Sequence, residues 1–255
     1  MDDRNFERIG AASAAAVAVL SLLYAIAYLG IAPSAQRAGD VDAFFRSYLA
    51  HPAGLRIASA CLLLSGLVIG FAVVGLAGRL KAAGGRLVSW AAVAGVVSGL
   101  VTAAHGLGDL VGVDKLAHRY AAGDAAVRAS VVSVHGAPSA VDPRGVVTFG
   151  VTGLVALALG LALRRASARA SGTGRGLGTL GVVLGIDMVL LFVANSVGVN
   201  ALVLVTGGLA SVVLGPAWWV GVARMLWAAE PAAAAAPVPA AVPAPASQPM
   251  ASSTQ

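Results

Sequence analysis

From the N-terminus onward, apolar residues fall in long uninterrupted runs, and polar residues gather in the short connections between them. Six runs are long enough to cross a bilayer as helices: 9–31, 55–78, 87–107, 146–163, 177–194 and 201–222. At 1.5 Å per residue even the shortest spans about 27 Å, close to the hydrocarbon thickness of a membrane. The first run follows Arg4 and Arg8 as a secretory leader would, but its apolar core is about twice the usual length, so it reads as a retained anchor. Two weaker patterns lie in the longer connections. Val41, Phe44, Phe45, Tyr48 and Leu49 recur at helical spacing between Asp40, a cap, and Pro52, a stop. This predicts a short amphipathic helix, either lying in the membrane interface or packed as a cap over the mouth of the bundle. Val113, Leu116, Ala117, Tyr120, Val127, Val131 and Val134 outline a looser helix broken at Gly123 and Asp124, before Pro138 and Pro143 return the chain. After Glu230 the chain holds six prolines and no charge, which predicts a disordered tail over 229–255.

The expected fold is therefore all-α: a polytopic membrane bundle of six transmembrane helices over 1–228, with short amphipathic extracytoplasmic helices and a disordered C-terminal tail. Composition agrees. Hydrophobic residues make up 58% of the 255 and charged residues only 11%, with a mean hydropathy of +0.87, against about 25% charged in a soluble domain. The net charge of +6 does not imply nucleic acid, because the basic residues sit in the connections, where they report topology. Arg4, Arg8, Arg79, Lys81, Arg86, Arg164, Arg165, Arg169, Arg175 and Arg224 fall on one side. Arg37, Arg46, Arg56, Lys115, Arg119, Arg128 and Arg144 fall on the other, spread over longer loops. The first set marks the cytoplasm, with both termini inside and Trp90 and Trp227 in an aromatic belt. A bacterial plasma membrane is the expected location. The single cysteine, Cys61, excludes an internal disulfide.

Candidate chemistry lies in a few polar positions inside the apolar runs. The stretch GVVLGIDMVLLFVANSV, 181–197, carries Asp187 at its centre, and no Lys or Arg lies inside any run to pair with it. A charged side chain facing lipid there would cost about 2.5–3.5 kcal/mol or more. Glycines at 66/70, 95/99 and 181/185 have the spacing that lets helices approach closely. Asp187 lies about 160° around its helix from Gly185, so this helix must be contacted on both sides. Two roles stay open for the acid: a neutral hydrogen-bonding group that fixes helix register, or a group that takes up and releases a proton. Ser98, Thr102, His105 and Asp109 align on one face of the third run, with Asp109 placed to orient the His105 ring. Tyr24, Tyr28 and Asn195 supply further hydroxyl and amide groups on the outer halves. These residues form either a polar path entering from outside or a set of interhelical hydrogen bonds. In the sixth run, Pro216 predicts a kink.

Known reaction signatures are missing. There is no phosphate-binding loop, zinc-protease motif or nucleophile elbow, and the glycine string 172–178 follows a basic loop instead of a strand. His51, His118 and His135 fall outside the runs without ligand-like spacing, and no metal or other cofactor is expected.

Four segments carry a resemblance: FFRSYLAHPAGLRIA, LAHRYAAGDAAVRAS, GLGTLGVVLGI and GPAWWVGVARML. In them and in layout, from Arg4 to Trp227, the chain resembles a family of actinobacterial six-helix integral membrane proteins of unknown function. The resemblance implies six spans with both ends cytoplasmic and brings no catalytic residues. Three functions follow in order: a non-enzymatic membrane protein whose polar groups secure packing or bind a partner, a proton-coupled transporter or permease-like protein using Asp187, and a redox or metal-binding protein using the outer histidines. The expected partner is the lipid bilayer, with self-association allowed through small-residue faces; nucleic acid is not expected.

Overall fold

The computed structural model describes residues 3–29, 41–136, 141–168 and 173–228. They are almost entirely helical, with no strand among the described residues. The elements are α1 (Asp3–Leu29), α2 (Val41–Ala50), α3 (Ala53–Ala122), α4 (Ala125–Gly136), α5 (Thr152–Ser167), α6 (Thr173–Val197), α7 (Asn200–Leu209) and α8 (Gly215–Trp227). Widened turns of π type lead into α5 (Val146–Val151) and join α7 to α8 (Ala210–Leu214). Five helical stretches are long and apolar enough to cross a membrane: Asn5–Tyr28, Ala53–Ala122, Val146–Ser167, Gly174–Val197 and Asn200–Trp227. The tail expected over 229–255 lies outside the described residues, as do Asp40 and Pro138.

Six apolar runs give five such stretches because 55–78 and 87–107 both belong to the 70-residue α3. This helix does not run straight. Gly85 has φ 47° and ψ −126°, a backbone conformation that a residue with a Cβ rarely adopts, and it folds α3 into two arms, 53–84 and 86–122. The arms lie antiparallel and in near-backbone contact. Gly66 faces Gly99 and Ala103, and a Cβ at Gly106 would stand 2.5 Å from the Leu63 amide and 2.7 Å from the Ser59 carbonyl. Lipid gives helices no hydrophobic reason to associate, so this close van der Waals approach holds the hairpin together.

The same device recurs along the bundle. Gly10 of α1 and Gly75 of α3 cross backbone to backbone, a Cβ on Gly10 standing 3.3 Å from the Gly75 Cα. Glu7 and Arg79, 3.6 Å apart, hold that crossing in register. In the α5–α6 pair, Gly153 abuts Gly185, and Gly160 abuts Gly178 and Gly181. Trp218 and Leu226 of α8 fill the centre, with Leu76, Leu159, Leu163 and Val222, all at most 2% exposed. Outward faces are equally apolar: Phe71, Val97, Leu100, Leu190 and Val205 are each about half exposed or more. An apolar surface that wide suits lipid, not water.

The start of α1, the Gly85 elbow and the ends of α5 and α8 lie together at one end. Gly84 is beside Ala162, and Leu226 is beside Gly10 and Gly75. Arg8, Arg79, Lys81, Arg86, Arg164, Arg165 and Arg224 belong to these segments. At the far end stands a separate cluster in which α2 and α4 pack on the last turns of α3. Phe45, Tyr48, Ala117 and Val131 are buried there, with Phe45 stacked 4.9 Å from Tyr120. Part of the apolar face of α2 packs on α3 and α4, with Phe45 0% exposed, while Leu49 stays 38% exposed. The break expected at Gly123 and Asp124 is present, with the Asp124 carboxylate accepting the Val127 amide at 2.9 Å to start α4.

Candidate functional site

The polar positions inside the bundle divide into three groups. His105 and Asp109 meet as their spacing predicts, Nε2 to Oδ2 at 3.4 Å, near the cap end of the second α3 arm. Tyr24 and Tyr28 of α1 stack at 5.7 Å, and Tyr24 lies within electrostatic reach of Asp109. These four form one polar patch between α1 and α3, near the cap end.

Ser98 is 3% exposed and takes part in hydrogen bonding between helices, one of the two roles its sequence position left open. Its hydroxyl meets the Thr152 hydroxyl, and both reach the Val147 carbonyl at 3.3 Å. Each hydroxyl has one proton, so one serves its neighbour and the other the carbonyl. The carbonyl is accessible because the Val146–Val151 turn is widened. The result is a polar rivet between α3 and α5. Thr102, aligned with Ser98 in sequence, is half-buried.

A second rivet joins α5 to α6. Asp142, 1% exposed, accepts the amides of Val147 at 2.9 Å and Thr148 at 2.8 Å, capping the widened turn. The chain reaches it through Arg144, which holds the left-handed φ of 60° that non-glycine residues rarely adopt. The Asn195 amide donates to the Arg144 carbonyl at 2.9 Å, and the Arg144 guanidinium donates to the Ser196 carbonyl at 3.3 Å. Asn195 therefore fastens a connection at the end of the bundle. Neither Asp142 nor Thr152 was singled out by sequence reasoning. The signal available for Asp142 was an Asp-Pro pair a few residues ahead of an apolar run, the usual form of a helix start.

Asp187 forms the third group. It is 7% exposed, and its Oδ2 has no hydrogen-bond partner among the described residues. It shares a buried stripe of α6 with Leu184, Leu191 and Ala194. α6 packs on α5, α7, α8 and the turns beside them, and α3 reaches the bundle through α1 and α5. The His105–Asp109 patch and Asp187 thus sit on elements separated by α5. Pro216 stands at the first turn of α8, and the helix widens into the Ala210–Leu214 turn just before it. The pyrrolidine ring would clash with the carbonyl four residues back, and the widened turn makes room for it.

In the cap, Arg56 and Asp114 pair at 2.5 Å, joined by the Tyr48 hydroxyl, which donates to Asp114 at 3.1 Å. The Arg56 guanidinium holds the Asp114 carboxyl below its ordinary range. An open cleft of about 480 Å³ in the cap is lined by Asp42, Tyr120, Asp124, Arg128 and Val132, with the Arg128 guanidinium 5.6 Å from the centre of the Tyr120 ring. His118 turns to the Asp114 carbonyl of its own helix at 2.8 Å. No group of three His, Cys, Asp or Glu side chains gathers among the described residues.

Comparison with protein-family models, curated proteins and solved structures finds no match to this chain.

Proposed function

We propose that the chain is a non-enzymatic protein of the bacterial plasma membrane, crossing it six times with both termini in the cytoplasm. In this reading the buried hydroxyl and amide groups fasten helices, and the cap on the outer side receives a partner. The observation that carries it is the sorting of the two ends. The elbow and helix ends that gather at one end bear most of the basic residues, as cytoplasmic connections do, and the cap stands at the other. The α3 elbow supplies the sixth crossing, because each arm, 53–84 and 86–122, exceeds the 20 or so residues a span requires. Single-cysteine variants test the topology in a Cys61→Ala background. A cysteine at Ser133 should react with an impermeant maleimide in intact cells, and one at Ala168 only after permeabilisation; the reverse pattern removes this reading. Photo-crosslinkers at Arg128 and Val132 test the partner role, with lipid-facing Leu100 as control. A protein adduct of discrete mass at the cleft positions alone is expected, and lipid adducts at all three positions would exclude an outer partner.

A second reading, proton-coupled transport through Asp187, is favoured by one observation: the acid is buried with an oxygen unpartnered. Asp187→Asn should then fold normally and abolish proton-coupled uptake in vesicles, whereas uptake equal to wild type removes transport through this residue.

A further inference from the structure

Two contacts set the register between α6 and the α7–α8 segment. Leu191 stands 3.7 Å from where a Cβ on Gly207 would lie, and Gly181 backs onto the Trp218 indole. Interpolating between these antiparallel pairs places Asp187 level with Ser211 and Val212, inside the Ala210–Leu214 turn that packs on α6. In that turn the Gly215 amide serves the Ala210 carbonyl, five residues back. The next residue, Pro216, has no N–H to give. The carbonyl it would have served, Val212 in an α-turn or Ser211 in a π-turn, loses its backbone donor at the depth of the acid. Ser211 adds a half-buried hydroxyl oxygen to the same turn. By this register a carboxylate, a released carbonyl and a hydroxyl stand at one level on two packed helices.

Among the described residues no cationic side chain reaches this level. The elements packed on α6 carry only Arg144, Arg164, Arg165 and Arg224 as charged groups, and α6 itself adds only Arg175. Arg164 abuts Gly178 and Arg144 binds Ser196, each nine residues from Asp187, or about 13 Å of helix rise. Arg224 lies six residues beyond Trp218 in the direction leading away from Asp187, and Arg175 is twelve residues from it. A proton on the acid could satisfy one acceptor. A metal cation satisfies several at once, and carbonyls released from helical hydrogen bonding are donors such ions take within membranes. One carboxylate balances one positive charge; a divalent ion would leave a net charge buried.

We propose that Asp187 and the Ala210–Leu214 turn form a binding site for an alkali-metal cation. The proposal uses the acid of the second reading but does not require transport. Binding is measured without a gradient, so failure of uptake and failure of binding are separate results. The full chain in detergent would be unfolded thermally in sodium, potassium or choline chloride at equal ionic strength. Sodium or potassium should raise Tm by roughly 5–10 °C at about a hundred times its dissociation constant. Asp187→Asn should abolish the rise, and Pro216→Ala, which returns an N–H to the carbonyl, should raise the half-saturating concentration at least tenfold. Acidification should weaken the effect as protons compete for the carboxylate. Should Asp187→Asn not fold, equilibrium dialysis of radioactive sodium and rubidium against wild type and Pro216→Ala decides the matter. Equal Tm values in alkali and choline chlorides, an undiminished rise in Asp187→Asn, or no ion retained on dialysis would overturn the site.

Discussion

Gly66→Val is expected to prevent the α3 hairpin from closing and to remove most folded protein from detergent extracts. A Cβ at this position would overlap the Ala103 amide and stand 2.5 Å from the Gly99 carbonyl. Both obstacles are backbone, so no side chain can swing aside, and the arms must separate along their length. Overpacking that side chains can relieve costs about 1–3 kcal/mol; without that relief the penalty should reach about 3 kcal/mol or more, a large share of the 5–15 kcal/mol typical of a folded domain. Gly78→Ala is the control. It lies on the same arm with open space around the added methyl, and helix propensity alone should make it neutral or stabilising by up to about 1 kcal/mol. Thermal unfolding followed by size-exclusion chromatography separates the two. Equal behaviour of both variants would mean that the arms are not in backbone contact.

Asp142→Ala should be nearly as damaging, although the residue lies outside every apolar run. The carboxylate accepts two backbone amides while 1% exposed, so its removal leaves both donors buried without partners. Hydrogen bonds to a charged group contribute about 1.5–3 kcal/mol each, and helix caps alone about 1–2 kcal/mol. A loss of about 3 kcal/mol is expected for Ala and roughly half that for Asn, which keeps one acceptor oxygen. The ordering Asp, Asn, Ala in Tm checks the assignment; a loss in Ala no larger than in Asn would show that the two amides find other acceptors.

These two residues mark how far the sequence could be read. Gly66 and Gly185 belong to spacings that announce close packing, and they pack closely. Other close contacts were hidden: Gly153 and Gly160 are seven apart, and Gly106 has no glycine four residues to either side, because only the facing helix decides which glycine a backbone meets. The helical period placed His105 beside Asp109, since both lie on one helix, four residues apart. The same alignment suggested that Ser98 continues that line. Its true partners, Thr152 and Val147, lie more than forty residues away, on a turn whose extra width no local pattern announces. Asn195 likewise bonds a carbonyl in a distant connection. Periodicity speaks for one element at a time. Pairings between elements depend on register, which here was set by glycine contacts visible only in three dimensions. The boundary between the second and third runs was legible as polarity, but not as an elbow without a loop.

That elbow limits how the molecule can change shape. With a single glycine as tether, neither α3 arm can advance one helical turn, about 5.4 Å, without carrying its sibling along with it. The pair therefore behaves as one stiff plank, and any sliding in this bundle falls to contacts other than the one between the two arms.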